Sequence, residues 1–257
     1  GRQHLDTDAE WNKVIISKIP EEYLKWVASF SKKHSNYYEV LPKKSYGSTN
    51  DLLKIYEDAM KDAIERIAFI PSRNNSLLKA NEAINDSIDF APVAHINKEY
   101  SKHFTLSSFF DCDNYQKFDE YGVFCFNENK LKPYFDDAPA TESITTNRCI
   151  DIIDFFVLLS DNSESKDRIM SILKECRFLV CEDNTVKKPS ECYFPTEYSN
   201  ENNTYVPLIH STVFSYIKTK RLFDWFKNLG VENLSVSNYL RDVYCKQNYN
   251  DTQKINI

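Results

Sequence analysis

Three groups of side chains in this 257-residue chain are of types that do chemistry. The first is carboxylates. Asp111, Asp113, Asp119 and Glu120 cluster, Asp136 and Asp137 are adjacent, and Asp151 and Asp154 stand three apart on an expected helix, hence on one face. Acids gathered in a pocket with a lysine can hold two divalent cations for hydrolysis. The second group is basic. Lys218, Lys220, Arg221 and Lys227 fall on or near one helix, with Tyr216 and Trp225 placed to stack on bases. The third is soft ligands: Cys112, Cys125, Cys149, Cys176, Cys181, Cys192 and Cys245, with His4, His34, His95, His103 and His210. The cysteines are odd in number and show no CxxC spacing. Cys176 and Cys181 have no second pair to complete a zinc set, and no HExxH occurs.

Each group has a plainer reading. Acidic clusters in a chain of net charge -6 are expected to be solvated surface, and the short basic stretches lie near acids. The cysteines read as reduced, mostly buried thiols of a cytoplasmic protein. No residue is therefore assigned as catalytic, as cofactor-binding or as a metal ligand, and no cofactor is expected.

Glycine sharpens the exclusion. The chain has four, and Gly1 stands where a Met is expected, which reads as a cut or tag remnant. Gly47, Gly122 and Gly230 lie far apart. Phosphate-cradling loops need two or three glycines close together so that backbone N–H groups can approach the anion. The serine nucleophile elbow needs flanking glycines too. Neither pattern occurs. No run of 18 apolar residues is present, so no membrane span is expected, and no signal-peptide pattern opens the chain.

The elements that would position these residues follow from periodicity. Thr7 to Glu10 reads as a capping box opening a helix with Trp11, Val14 and Ile15 on one face. Pro20 is expected to end it and to begin a second helix, Glu21 to Ser31, with Trp11 and Trp26 in a helical core. Residues 33–48 read as a loop. The stripe Leu52, Ile55, Tyr56, Ala59, Met60, Ala63, Ile64 and Ile67 predicts the next helix. Residues 68–78 read as a hairpin turning at Asn74-Asn75, and 114–121 as a helix closed by Gly122. In the second half, helices are expected at 147–160 and 165–176, and a hairpin follows at 177–188, turning at Asp183-Asn184. An extended piece comes at 192–195, then a helix over 211–229 closed by Gly230, a further helix over 235–246 and a polar tail.

These halves run in the same order. FIPSRNNSLLKANEAI from Phe69 aligns with FLVCEDNTVKKPSECY from Phe178, matching Asn75 to Asn184, Lys79 to Lys188 and Glu82 to Glu191. About fifty residues on, FDEYGV from Phe118 aligns with FKNLGV from Phe226. The offset is 109 residues at the hairpins and 108 at the glycines. The fold expected is α+β, mostly helical with short β-hairpins, as two related helix–hairpin–helix units. An N-terminal helical segment would cover 1–47, a first unit 48–146, and a second unit with a C-terminal helix and polar tail 147–257.

The second copy, Phe178 to Pro195 followed by Phe223 to Val231, resembles segments found downstream of the ATPase module in large sacsin-like GHKL-ATPase proteins. The first copy is similar but weaker, with Ala80 in place of Pro189 and Tyr121 in place of Leu229. The resemblance spans about Ser48 to Lys246. It implies a fragment of a larger, chaperone-like or defence-related protein whose ATPase lies outside this chain. The magnesium-binding Asn and the glycine-rich nucleotide lid of that ATPase have no counterpart here. The function expected is thus a non-catalytic scaffold or interaction module. Its partner would be a protein or other domains of the parent chain, with no membrane and no small-molecule substrate. Two other readings stand beside it: a nucleic-acid-contacting domain and a metal-dependent carboxylate hydrolase.

Overall fold

The computed structural model describes residues 9–34, 36–43, 47, 50–72, 76–90, 92–94, 118–137, 141–162, 166–196, 206–235 and 237–238. The chain is mostly helical with short two-stranded sheets. It divides into two compact units, Gly1–Asn127 and Glu128–Ile257.

The first unit is built on α1 (Glu10–Ser31) and α2 (Asp51–Arg66). α2 begins because the Asn50 side chain accepts from Leu52 N at 2.9 Å and Leu53 N at 3.3 Å, satisfying two donors of the first turn. Its stripe faces the core as periodicity requires, with Leu52, Met60, Ala63 and Ile64 buried. α1 differs from expectation. It runs unbroken through Pro20, and its preceding residue, Ala9, makes no side-chain cap. Thr7 lies outside the described residues. An interior proline costs a hydrogen bond, about 3 kcal/mol. Pro20 instead sits buried on the same face as Leu24, Val27 and Ser31, where α1 packs along α2. Trp11 and Trp26 are exposed rather than in that core. Within 33–48, Tyr37–Val40 forms a 3-10 turn with the Tyr37 ring fully buried.

The hairpin predicted after α2 is present: β1 (Ile70–Pro71) pairs antiparallel with β2 (Leu77–Leu78), Ile70 opposite Leu78. A pairing that the sequence did not announce follows. β3 (Ile84–Asp86) runs parallel to β4 (Phe124–Phe126), Ile84 opposite Phe124. Phe69, Phe118, Tyr121 and Val123 close the core against both helices. Gly122 has φ +80°, the left-handed exit expected of it. Of the helix expected at 114–121, residues 114–117 lie outside the described residues.

The second unit opens with α3 (Leu131–Asp136), a helix missed in the sequence, followed by α4 (Thr146–Asn162) and α5 (Lys166–Lys174). Arg168 of α5 pairs with Glu128 at 3.2 Å, and α3 packs on α5. Glu128 and α3 thus pack with α5 in the second unit, and α1 packs with α2 in the first. β5 (Leu179–Val180) pairs antiparallel with β6 (Val186–Lys187). Asn184 takes φ +60° in the turn, a conformation asparagine tolerates, while Asp183 Oδ1 accepts from Thr185 N at 3.0 Å.

β7 (Tyr193–Phe194) runs parallel to β8 (Glu232–Asn233), Tyr193 opposite Glu232. Residues 206–210 bridge β5 and β7 through Tyr193 N to Pro207 O at 3.0 Å and His210 N to Val180 O at 3.0 Å. The single helix expected over 211–229 is two, α6 (Ser211–Lys220) and α7 (Phe223–Asn228). The chain breaks at Arg221, which adopts the left-handed conformation at φ +57°. Of the helix expected at 235–246, only residues 237–238 are described and helical.

Candidate functional site

Among the described residues, the acids that could have held metal do not converge. Asp119 and Glu120 are exposed at the end of the first unit's closing turn. Asp136 pairs with Lys132 one turn away, and Asp137 is exposed. Asp151 and Asp154 do share the outer face of α4, but Asp154 accepts a hydrogen bond from Tyr216 Oη of α6. That bond clips α6 to α4. Burial first, and then the bond to Asp154, push the Tyr216 phenol up to about 12. Asp111 and Asp113 lie outside the described residues. Among the described residues no three His, Cys, Asp or Glu side chains are placed to hold a metal ion.

The basic group is held by local contacts. Lys218 and Lys220 sit in the last turn of α6, where cations complement the helix dipole. Lys218 Nζ lies 4.6 Å from the Phe214 ring centre and Lys220 Nζ 5.7 Å from that of Tyr216. Lys227 pairs with Asp224 at 3.7 Å. Trp225 docks on α4, with Nε1 donating to Ser160 Oγ at 3.1 Å. The two rings expected to stack on bases are thus each anchored by their polar atom.

Of the five described thiols four are buried, and Cys125 is half-buried. Cys149, Cys176, Cys181 and Cys192 are closed off from solvent. Burial pushes Cys149 and Cys176 up to about 12, so both stay protonated at neutral pH and are poor nucleophiles. The structure brings together two cysteines that the sequence left apart. Cys181 Sγ and Cys192 Sγ lie 3.7 Å from each other, and Cys192 Sγ also donates to Lys188 O at 3.3 Å. The contact with Cys181 and then burial hold Cys192 well above the ordinary thiol range. Cys112 and Cys245 lie outside the described residues. His34 stacks on Phe30 at 4.1 Å, and His210 Nδ1 accepts from Thr212 N at 3.2 Å as the cap of α6. His4, His95 and His103 lie outside the described residues.

A concavity of about 590 Å³ lies between α5 and α7 in the second unit. Lys166, Asp167, Met170, Ser171, Lys174, Trp225 and Asn228 line it. Lys166 is partnered by Asp161 at 3.0 Å. Its lining includes no histidine or cysteine to pair with Ser171. Asp167 sets a carboxylate among these lysines, and nothing in the sequence pointed to this groove. The other feature missed is on α1. Trp11, Val14, Ile15, Ile19 and Trp26 stand exposed on the side away from α2. The signal was there, because these apolar residues recur at helical spacing. The sequence could not say that Pro20, Leu24 and Val27 would take the core instead.

Among the described residues, no helix is long and apolar enough to cross a membrane. Comparison of the chain with protein-family models, with curated proteins and with solved structures finds no match.

Proposed function

We propose that this chain is a non-catalytic interaction module, made of two copies of one unit, from a larger sacsin-like protein whose GHKL ATPase lies elsewhere in the parent chain. The observation that carries the duplication is a bond-for-bond correspondence between the units. Phe69 N donates to Leu78 O at 3.0 Å, and Phe178 N to Lys187 O at 3.2 Å. Ser72 N donates to Ser76 O, and Cys181 N to Thr185 O. Lys79 N is received by Glu82 Oε2 at 3.2 Å, and Lys188 N by Glu191 Oε2 at 3.1 Å. Val123 N returns to Phe118 O, and Val231 N to Phe226 O. The parallel ladders agree as well, since Ile84 opposite Phe124 and Tyr193 opposite Glu232 keep the offsets of the sequence alignment.

A unit in this reading is a helical pair, a hairpin, a glutamate-locked turn and a parallel strand received by the strand after the glycine. Its bonds go to backbone and core, which leaves function to the surfaces. The buried, protonated thiols support a structural role and a cytoplasmic setting. The partner is a protein or another domain of the parent chain.

Isothermal titration of the chain with magnesium ATP tests the module reading, and no heat of binding is expected. Micromolar binding would sink it.

A further inference from the structure

We propose that the outer face of α1 is a self-association surface, on which a second copy of this chain lays its own α1 antiparallel to the first. The inference rests on the reading of the chain as an interaction module and names the partner. α1 is apolar on two sides. Pro20, Leu24, Val27 and Ser31 turn inward. Trp11, Val14, Ile15, Ile19 and Trp26 turn outward with exposures of 72%, 52%, 41%, 41% and 47%. One stripe suffices to seat a helix on its core. A second stripe spanning about 22 Å, at roughly 1.5 Å per residue, is surface that solvation alone does not favour.

The charges on this stripe select the occupant. Lys18 and Glu22 are exposed, one turn apart, in its middle. Glu22 is held to Lys25 at 2.9 Å, whereas Lys18 has no ion pair among the described residues. A parallel second helix would set Lys18 against Lys18 and Glu22 against Glu22, both repulsive. An apolar partner of another kind would bury both charges without compensation. An antiparallel copy, with Lys18 opposite Glu22, forms two symmetric ion pairs about an axis that crosses the outer face at the level of residue 20. The same register sets Trp11 opposite Ser29, Trp26 opposite Val14 and Ile15 opposite Lys25, so each indole meets a smaller side chain and the Lys25 stem lies over Ile15 while its ammonium stays with Glu21 and Glu22. Five apolar side chains per copy give on the order of 1,000 Å² in total, the lower end for a specific interface. Such an interface fits a micromolar dimer.

Sedimentation equilibrium of the full chain is the test. The 30.1 kDa chain is expected to dimerise at about 100 μM. Lys18→Glu alone and Glu22→Lys alone are each expected to weaken dimerisation at least about tenfold, with unchanged circular dichroism because both side chains are exposed. An equimolar mixture of the two variants restores dimers, as does the double charge swap in one chain. A monomeric wild-type chain overturns the proposal. So does a mixture that stays monomeric, or single variants that dimerise like wild type. A monomer that still gives no heat with ATP would sink the dimer and leave the module reading standing.

Discussion

Gly122 and Gly230 both end turns in the left-handed region, yet they carry different burdens. Both are left-handed, at φ +80° and +101°. A Cβ on Gly122 would meet nothing within 4 Å, whereas one on Gly230 would sit 3.3 Å from Ser190 Cβ and 3.4 Å from Ser190 Cα. The second glycine serves conformation and close approach together, because the 3-10 turn Pro189–Glu191 packs directly against it. Gly122→Ala is expected to cost about 1 kcal/mol from backbone strain alone, and Gly230→Ala about 2–3 kcal/mol. Urea midpoints of the two variants check the order. Equal losses would mean that the Ser190 contact relaxes freely.

At the scale of elements, the break between α6 and α7 is the place where local preference and fold disagree. Arg221 caps α6 in the left-handed conformation, with Leu222 N reaching back to Ile217 O at 3.0 Å. That is the geometry a helix ordinarily closes with glycine. Periodicity alone continues through it, since Ile217, Arg221 and Trp225 keep helical spacing. The turn frees α7 to place Trp225 on Ser160 of α4 and Phe223 against Phe194, ring centres 5.3 Å apart. Arg221→Gly is expected to raise stability by about 1 kcal/mol, as the cost of a Cβ in this region is removed. A lower urea midpoint for this variant would show that the arginine side chain contributes more than its backbone strain costs.

For the whole molecule, each compact unit has its own aromatic centre. Phe69 packs edge-on to Tyr121 at 5.7 Å in the first unit, and Phe178 packs edge-on to Phe156 at 4.9 Å in the second. Both phenylalanines are fully buried. Phe69→Leu and Phe178→Leu are each expected to cost about 1 kcal/mol, and the double variant the sum to within about 0.5 kcal/mol. Chemical denaturation of the three variants checks this. A larger departure from additivity would mean that the two residues are energetically coupled.

Much of this fold was legible because it is written in short-range chemistry. The α2 stripe, both hairpins, the Asp183-Asn184 turn and the left-handed glycines each depend on a few neighbouring residues. The exclusion of phosphate loops needed only the positions of three glycines. What the tertiary structure decided was everything set by partners distant in sequence. β3 meets β4 and β7 meets β8 across some forty residues, and strands of two or three residues carry no periodicity of their own. Pro20 stays inside α1 because burial against α2 offsets its lost hydrogen bond. Two apolar stripes on α1 look alike in one dimension, and only packing shows which one the core takes. Asp154 and Trp225 offered chemistry by residue type, and the fold tied them to Tyr216 and Ser160 instead.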